Sequence, residues 1–338
     1  MGSVEETKEV LRERRSPYSG EVVSRAPICN AEDTKRALLI AQKASKATAK
    51  SSLHQRVAWL EDVADKLRHY REDMALTLVD EVAKPLAFAR VEVDRCIETI
   101  ELTAKELVAL HGETIPTDIA PSGKKTIAYF TRVPVGVVAC ITPFNFPLNL
   151  VAHKIAPALG AGNAVVLKPT PEAPLTAYKL AKLFNSSEYA IKDALSVVYG
   201  DVEVGSTLVK SSIPRVLSFT GSVPVGHIIT QQAGIKKVSL ELGGNAATFI
   251  DKGADVEAAA QRCVFGAFVN SGQVCISLQR IYVHTDVYDE FAIAMTKETQ
   301  TLKVGSPYEE DTFMGPLIDN ESLNRAITWV KSAEDEGA

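Results

Sequence analysis

The stretch Val137-Val138-Ala139-Cys140-Ile141-Thr142 is a short apolar run. It stops at Pro143-Phe144-Asn145-Phe146-Pro147 and resumes as a helix-like segment over 148–159. A bounded apolar run of this length reads as a strand buried on both faces. Outward from it the same alternation recurs. Short β-branched runs at 164–167, 196–199, 215–220, 238–240 and 247–250 are separated by helical stretches at 175–184, 204–209 and 225–232. Strands punctuated by helices of this length predict an α/β fold with a parallel sheet covered on both faces.

Upstream, residues 31–111 read as helix. Asp33 is a candidate cap, and three apolar faces recur at helical spacing: Ala37, Ile40, Ala41 and Ala44; Val57, Leu60, Ala64 and Leu67; Val93, Ile97, Ile100 and Ala104. Residues 114–133 break the pattern with Pro116, Pro121 and Ser122-Gly123, then alternate from Lys125 to Arg132, which predicts a β-hairpin projecting from the main sheet. A second α/β unit starts near Leu242, with a helix over 256–270, a strand over 280–284 and a helix over 287–299. The expected division is therefore 1–241 and 242–338.

The 338 residues correspond to roughly two domains of ~150 residues. Lys plus Arg number 37 against 42 Asp plus Glu, and no block of like charges occurs, so no electrostatic case exists for nucleic acid or an anionic membrane. The longest apolar run, 133–141, is about half a bilayer span. The N-terminal Met1 to Glu6 stretch is acidic where a secretion signal is basic, and no apolar segment follows. Five scattered cysteines (Cys29, Cys96, Cys140, Cys263 and Cys275) form neither a disulfide framework nor a zinc signature, and no metal site is expected. A cytoplasmic location is the expectation.

Ligands of a parallel α/β sheet bind beyond the carboxyl ends of its strands. Four polar elements fall there: 143–147, Lys168-Pro169-Thr170-Pro171-Glu172, Gly221-Ser222-Val223-Pro224-Val225-Gly226, and Glu241-Leu242-Gly243-Gly244. A strand–Gly221-x-x-x-x-Gly226–helix unit suits an anion facing free amides, although a glycine also simply ends a strand. It is neither a Walker loop, because His227-Ile228 replaces Lys-Ser/Thr, nor a G-x-G-x-x-G fingerprint. Lys168 suits a nucleotide hydroxyl or phosphate; a solvated lysine is its plain alternative. Cys275 follows a helix and the turn at Gly272, which leaves its thiol open, whereas the other four cysteines lie in apolar or helical stretches and read as inert packing.

Together these residues resemble the NAD(P)-dependent aldehyde dehydrogenase superfamily, from about residue 16 onward. Pro-Phe-Asn145-Phe-Pro, Lys168-Pro-x-Pro-x-x-Pro, Phe-Thr-Gly221-Ser-x-x-x-Gly226, Glu241-Leu-Gly-Gly-Asn and Gly-Gln-x-Cys275 occur in the family's order and approximate spacing. The resemblance implies a Rossmann-like cofactor domain, a catalytic domain carrying the nucleophile, and an oligomerisation hairpin matching 114–133. It further implies a homodimer or homotetramer. Cys275 as thiolate would attack a small aldehyde. Asn145 and the Cys275 amide would hold the oxyanion of the thiohemiacetal, whose collapse delivers hydride to NAD or NADP and leaves a thioester. Glu241 would activate the hydrolytic water. Thr142, Pro143, Phe144, Lys168, Thr170, Gly221, Ser222, Gly226 and Leu242 would contact the cofactor.

Two departures accompany the match. NAD-preferring members often carry an acidic residue three positions after the lysine; Pro171 stands there, with Glu172 next, leaving NAD or NADP open. The family's downstream Glu-x-Phe-Gly-Pro element is absent, and the chain ends at Glu336-Gly337-Ala338 within the second unit, so a C-terminally truncated chain is expected. Val274, Ile276 and Ser277 imply a compact pocket of mixed polarity, and Gly-Gln-Val-Cys-Ile-Ser is similar to members acting on small hydroxylated aldehydes such as lactaldehyde. The competing readings are a CoA-acylating member, against which Glu241 argues, and a catalytically silent relative. Ester hydrolysis without cofactor would be a side activity of Cys275 and Glu241.

Overall fold

A computed structural model describes Gly2, Glu5, Glu6, Lys8 and residues 10–338, so the Met1 to Glu6 reading lies partly outside the described residues. The chain opens with an antiparallel hairpin of β1 (Leu11–Arg15) and β2 (Val22–Pro27), which the sequence reading does not contain. Four helices follow: α1 (Ala31–Lys50), α2 (Leu53–His69), α3 (Arg71–Val82) and α4 (Leu86–Glu106). The cap of α1 is Asn30, not Asp33. Asp33 is the reciprocal partner three residues in, its carboxylate accepting from Asn30 N while Asn30 Oδ1 accepts from Asp33 N, both at 3.0 Å. The 114–133 segment forms its own two-stranded sheet, β3 (Glu113–Ile115) against β4 (Ala128–Phe130).

The main sheet contains β5 (Val137–Ile141), β6 (Ala164–Lys168), β7 (Leu195–Val197), β8 (Val216–Thr220) and β9 (Lys237–Glu241). Its order is β7-β6-β5-β8-β9 and every pairing is parallel. Its connections are α5 (Asn149–Gly160), α6 (Pro174–Asn185), α7 (Val202–Lys210) and α8 (Val223–Gln232). Strand alternation sorts these helices onto two faces. Val138, Cys140, Val165 and Leu167 pack with α2 to α6, where Trp59 donates to Phe184 O at 2.8 Å. Val137, Ala139, Val166, Leu217 and Phe219 pack with α1, α7 and α8.

Beyond β9, β10 (Ala247–Ile250) pairs with β11 (Arg280–Val283) in a separate parallel sheet rather than extending the first. α9 (Val256–Phe268) and α10 (Tyr288–Gln300) pack on it around Cys263 and Phe291, and α11 (Asn320–Asp335) follows the loop 301–319. That loop is anchored by Phe313, which meets Phe88 of α4 and Phe265 of α9 edge-on. Among the described residues no helix is long and apolar enough to cross a membrane.

Candidate active site

The winding of the sheet reverses between β5 and β8. The chain leaves β5 toward the α5 face and leaves β8 toward the α8 face, which opens a crevice at their carboxyl ends. Thr142 follows β5 and Thr220 ends β8. Both are buried, and the Oγ1 of each lacks a hydrogen-bond partner among the described residues. A buried unpartnered hydroxyl costs about 1–3 kcal/mol, so two at one crevice point to a ligand that completes them. The adjoining turn is close-packed. A Cβ on Gly221 would stand 2.4 Å from Phe219 Cζ, and one on Gly226 would stand 2.9 Å from both Leu242 Cδ atoms. Ser222 occupies the cap position of α8 but makes no side-chain capping bond, so the Val223 and Val225 amides stay available to an anion.

Lys168 closes β6 on the other side of β5. It is buried, and among the described residues no hydrogen bond ends on its Nζ. Burial pulls its pKa below the usual lysine value, opposed by Asp201 and Glu172. Gly205 of α7 gives its stem room, a Cβ there falling 3.8 Å from Lys168 Cδ. The Thr170 hydroxyl donates to Glu172. Arg12 of the N-terminal hairpin pairs through Nη1 and Nη2 with the two carboxylate oxygens of Asp201, at 2.6 and 2.5 Å. Pro143 is half-buried, and Phe144 packs on Val82, Ala173 and Ile318.

The third component is the turn after α9. Asn270, Ser271 and Gly272 take φ of 53°, 56° and 73°, three left-handed residues in succession. Such conformations cost non-glycine residues of order 1–3 kcal/mol and persist only where surroundings over-determine them. Here Ser271 Oγ donates to Gly315 O at 2.7 Å, Gln273 Nε2 donates to Asn270 O at 3.2 Å, and Gln273 Oε1 accepts from Ile318 N at 3.0 Å. The turn presents Cys275 to solvent, whereas Cys29, Cys96, Cys140 and Cys263 are buried. Burial pushes the Cys140 thiol up to about 12 and raises the other three as well. Asn145 Nδ2 donates to Gln273 O at 3.0 Å, two residues before Cys275. A Cβ on Gly244 would lie 3.5 Å from Cys275 O, so the exit from β9 passes against the same turn. Glu241 is exposed at the end of β9, in register with Thr220, and its charge acts on Lys154 and His153. One thiol, one amide and one carboxylate thus sit on three elements meeting at the crevice.

A family model described as the aldehyde dehydrogenase family matches residues 4–338. The chain belongs to the aldehyde dehydrogenase family. It is 42% identical over its whole length to 3-sulfolactaldehyde dehydrogenase of Priestia megaterium, covering 70% of that protein. It is 38% identical to lactaldehyde dehydrogenase of Methanococcus vannielii, over 95% of this chain and 69% of the other. Among solved structures it resembles aldehyde dehydrogenase 21 of Physcomitrella patens in complex with succinate, with a TM-score of 0.96, 36% identity, and 99% of this chain and 70% of that one covered. It also resembles the NADP complex of glyceraldehyde-3-phosphate dehydrogenase GapN from Methanocaldococcus jannaschii, with a TM-score of 0.92, 37% identity, and 96% and 71% covered. The chain therefore spans about 70% of the length of these aldehyde dehydrogenases. As a member of the family it is an oxidoreductase of aldehydes using NAD or NADP, and the Thr142 and Thr220 hydroxyls, unpartnered among the described residues, together with the glycine turn and the buried Lys168, fit a dinucleotide.

Sequence reasoning missed Thr220, the Arg12–Asp201 pair and the supporting loop 301–319. Thr220 stood inside the recognised Phe-Thr-Gly run, so its place at a strand end was a usable signal. The long-range partners carried none.

Proposed function

We propose that the chain oxidises a small hydroxylated aldehyde to its acid through a thioester on Cys275. The single observation that carries this is the exposed Cys275 on a turn to which Asn145 is hydrogen-bonded, within a chain 42% identical to a sulfolactaldehyde dehydrogenase. The Cys275 thiolate attacks the aldehyde carbon. The Asn145 amide, exchanging its bond to Gln273 O for the new oxyanion, stabilises the thiohemiacetal together with the Cys275 N–H; one such donor is worth about 3 kcal/mol. Thr142, Lys168, Gly221, Ser222, Gly226 and Leu242 would hold NAD or NADP, which would supply the acceptor for the hydride that leaves the thiohemiacetal carbon as the thioester forms. Glu241 then takes a proton from water as that water adds to the thioester carbonyl, and the Cys275 thiolate leaves.

The pocket expectation needs one correction. Ser277 is 7% exposed and its hydroxyl donates to Ala267 O at 3.2 Å, so it offers the substrate no polar contact; Ile276, 82% exposed, and half-buried Val274 are the outward neighbours of Cys275. The polar groups for a hydroxylated substrate come from elsewhere in the crevice. We place the boundary between the cofactor-binding and catalytic units at 241/242, after the five-stranded sheet ends at Glu241 and before the β10–β11 sheet begins at Ala247. The β3–β4 hairpin, with Ile119, Ile127, Tyr129 and Val133 all at least 70% exposed, supports assembly into a homodimer or homotetramer. Five unpaired cysteines support a cytoplasmic location. The test is nicotinamide absorbance on mixing the chain with lactaldehyde, sulfolactaldehyde and an unbranched aliphatic aldehyde, each with NAD and with NADP. Hydroxylated aldehydes are expected to give the higher kcat/KM, and a preference for the aliphatic aldehyde overturns the substrate reading.

A further inference from the structure

Between α3 and α4 the chain runs Ala83-Lys84-Pro85, with Ala83 in the left-handed region at φ 51°. Lys84 is 1% exposed. Its Nζ donates to Glu92 of α4 and to the Asn145 carbonyl oxygen at 2.7 Å, and lies 3.9 Å from the Phe146 ring centroid. Glu92 is as deeply buried. Its second oxygen accepts from Leu148 N at 2.9 Å and Asn149 N at 3.1 Å, at the start of α5. Apart from the Lys84–Glu92 pair itself, these bonds end on residues 145–149. Full burial pulls the Lys84 ammonium below its ordinary pKa, and the Glu92 carboxylate opposes that pull.

A buried ion pair is a poor source of stability. Desolvation of both charges commonly cancels their attraction, and an apolar pair of similar volume often serves as well. What this pair does supply is direction. The Asn145 carbonyl is fixed by Lys84 from one side and accepts from Asn270 Nδ2 at 3.3 Å from the other. Its peptide plane therefore cannot rotate without breaking both bonds. The side chain on the same residue is the amide facing the Cys275 turn. Glu92 fixes the other end of the segment through two backbone amides.

We propose that Lys84 and Glu92 are positioning residues that aim the Asn145 amide at the oxyanion formed on Cys275. The proposal rests on the roles given above to Asn145 and Cys275, and neither Lys84 nor Glu92 touches the substrate.

The test compares two reactions of one thiol in the 338-residue chain. With p-nitrophenyl acetate the Cys275 thiolate adds to the carbonyl, an oxyanion forms and collapses, p-nitrophenolate leaves and an acetyl thioester remains. With iodoacetamide the same thiolate displaces iodide and no oxyanion forms. The ratio of the two rates therefore reports the oxyanion site apart from thiol exposure. In Lys84→Met/Glu92→Leu no uncompensated charge remains, but the Leu148 and Asn149 amides lose their acceptor, so the melting temperature falls and both rates are measured well below the variant's own midpoint. The alkylation rate is expected to hold while acylation falls at least tenfold. Glu92→Gln, measured well below its own melting midpoint, covers the case in which the double variant does not fold; its ratio is expected to fall at least threefold. A ratio within twofold of the parent in whichever of these variants folds makes the pair structural only and overturns the proposal. Acylation that survives in Cys275→Ala, or is unchanged in Asn145→Ala, refutes instead the site reading on which the proposal stands.

Discussion

Thr220→Val separates folding from binding at the crevice with opposite signs. Thr220 is 8% exposed, lies at the end of the interior strand β8, and its hydroxyl has no partner among the described residues. Valine keeps the branched shape and the strand preference while removing the unpaired oxygen. The ligand-free chain is therefore expected to gain about 1–2 kcal/mol, the desolvation cost of an unsatisfied hydroxyl. At ~2.1 cal/mol/K of unfolding entropy per residue, a chain of 338 residues shifts by about 1.4 °C per kcal/mol, so the melting midpoint rises by about 1.5–3 °C. If the hydroxyl is reserved for the dinucleotide, its loss removes about 1 kcal/mol of binding, or about fivefold in Kd. At saturating NADP the parent then recovers about 1 kcal/mol of the difference, and the two melting curves draw together. Differential scanning calorimetry with and without NADP, and isothermal titration of NADP, measure both halves. A variant that melts no higher than the parent, or that binds NADP as tightly, refutes the reasoning.

Glu241→Gln is expected to keep a burst of reduced cofactor and lose steady-state turnover by 10²–10⁴-fold, since acylation needs no activated water; stopped-flow absorbance resolves the two, and an unchanged steady state removes Glu241 from deacylation. Pro171→Glu is expected to shift the ratio of kcat/KM values toward NAD by about tenfold, because an acidic group beside Lys168 accepts from a ribose 2′-hydroxyl and repels a 2′-phosphate; a parent already strongly selective for NAD assigns that work to another residue, with Glu172 the nearest carboxylate in sequence. Iodoacetamide under native conditions is expected to label Cys275 well ahead of the four buried thiols. Peptide mapping that finds Cys140 or Cys96 labelled at a comparable rate contradicts the burial described here.

The main sheet was legible because its strands are short apolar runs set between helices of regular length. Each strand from Val137 to Glu241 lies within a residue or two of its expected bounds. Cys275 was legible for a related reason, since a glycine turn after a helix end marks a place where a thiol leaves the core. The N-terminal hairpin was not. Its strand Leu11–Arg15 carries three arginines, and its partners, such as Asp201 for Arg12 and the Glu81 carbonyl for Arg14, lie far along the chain. The cap of α1 was misassigned within one motif, because either end of a capping box carries a side chain able to cap. Ser277 was read as polar lining from its type alone; only the fold shows its hydroxyl turned to Ala267. Lys84, just before α4, and Glu92, within it, look in sequence like ordinary helix charges, and their burial depends on α4 and α5 packing together.

The most direct test of the account is mass analysis of the acid-quenched chain during turnover. Glu241→Gln is mixed with lactaldehyde and NADP, quenched within the burst, and digested. The expected result is a lactoyl thioester on the peptide carrying Cys275, formed in step with reduced cofactor and absent when NADP is omitted. Reduced cofactor appearing while Cys275 stays unmodified, or an acyl group found on any other residue, contradicts it.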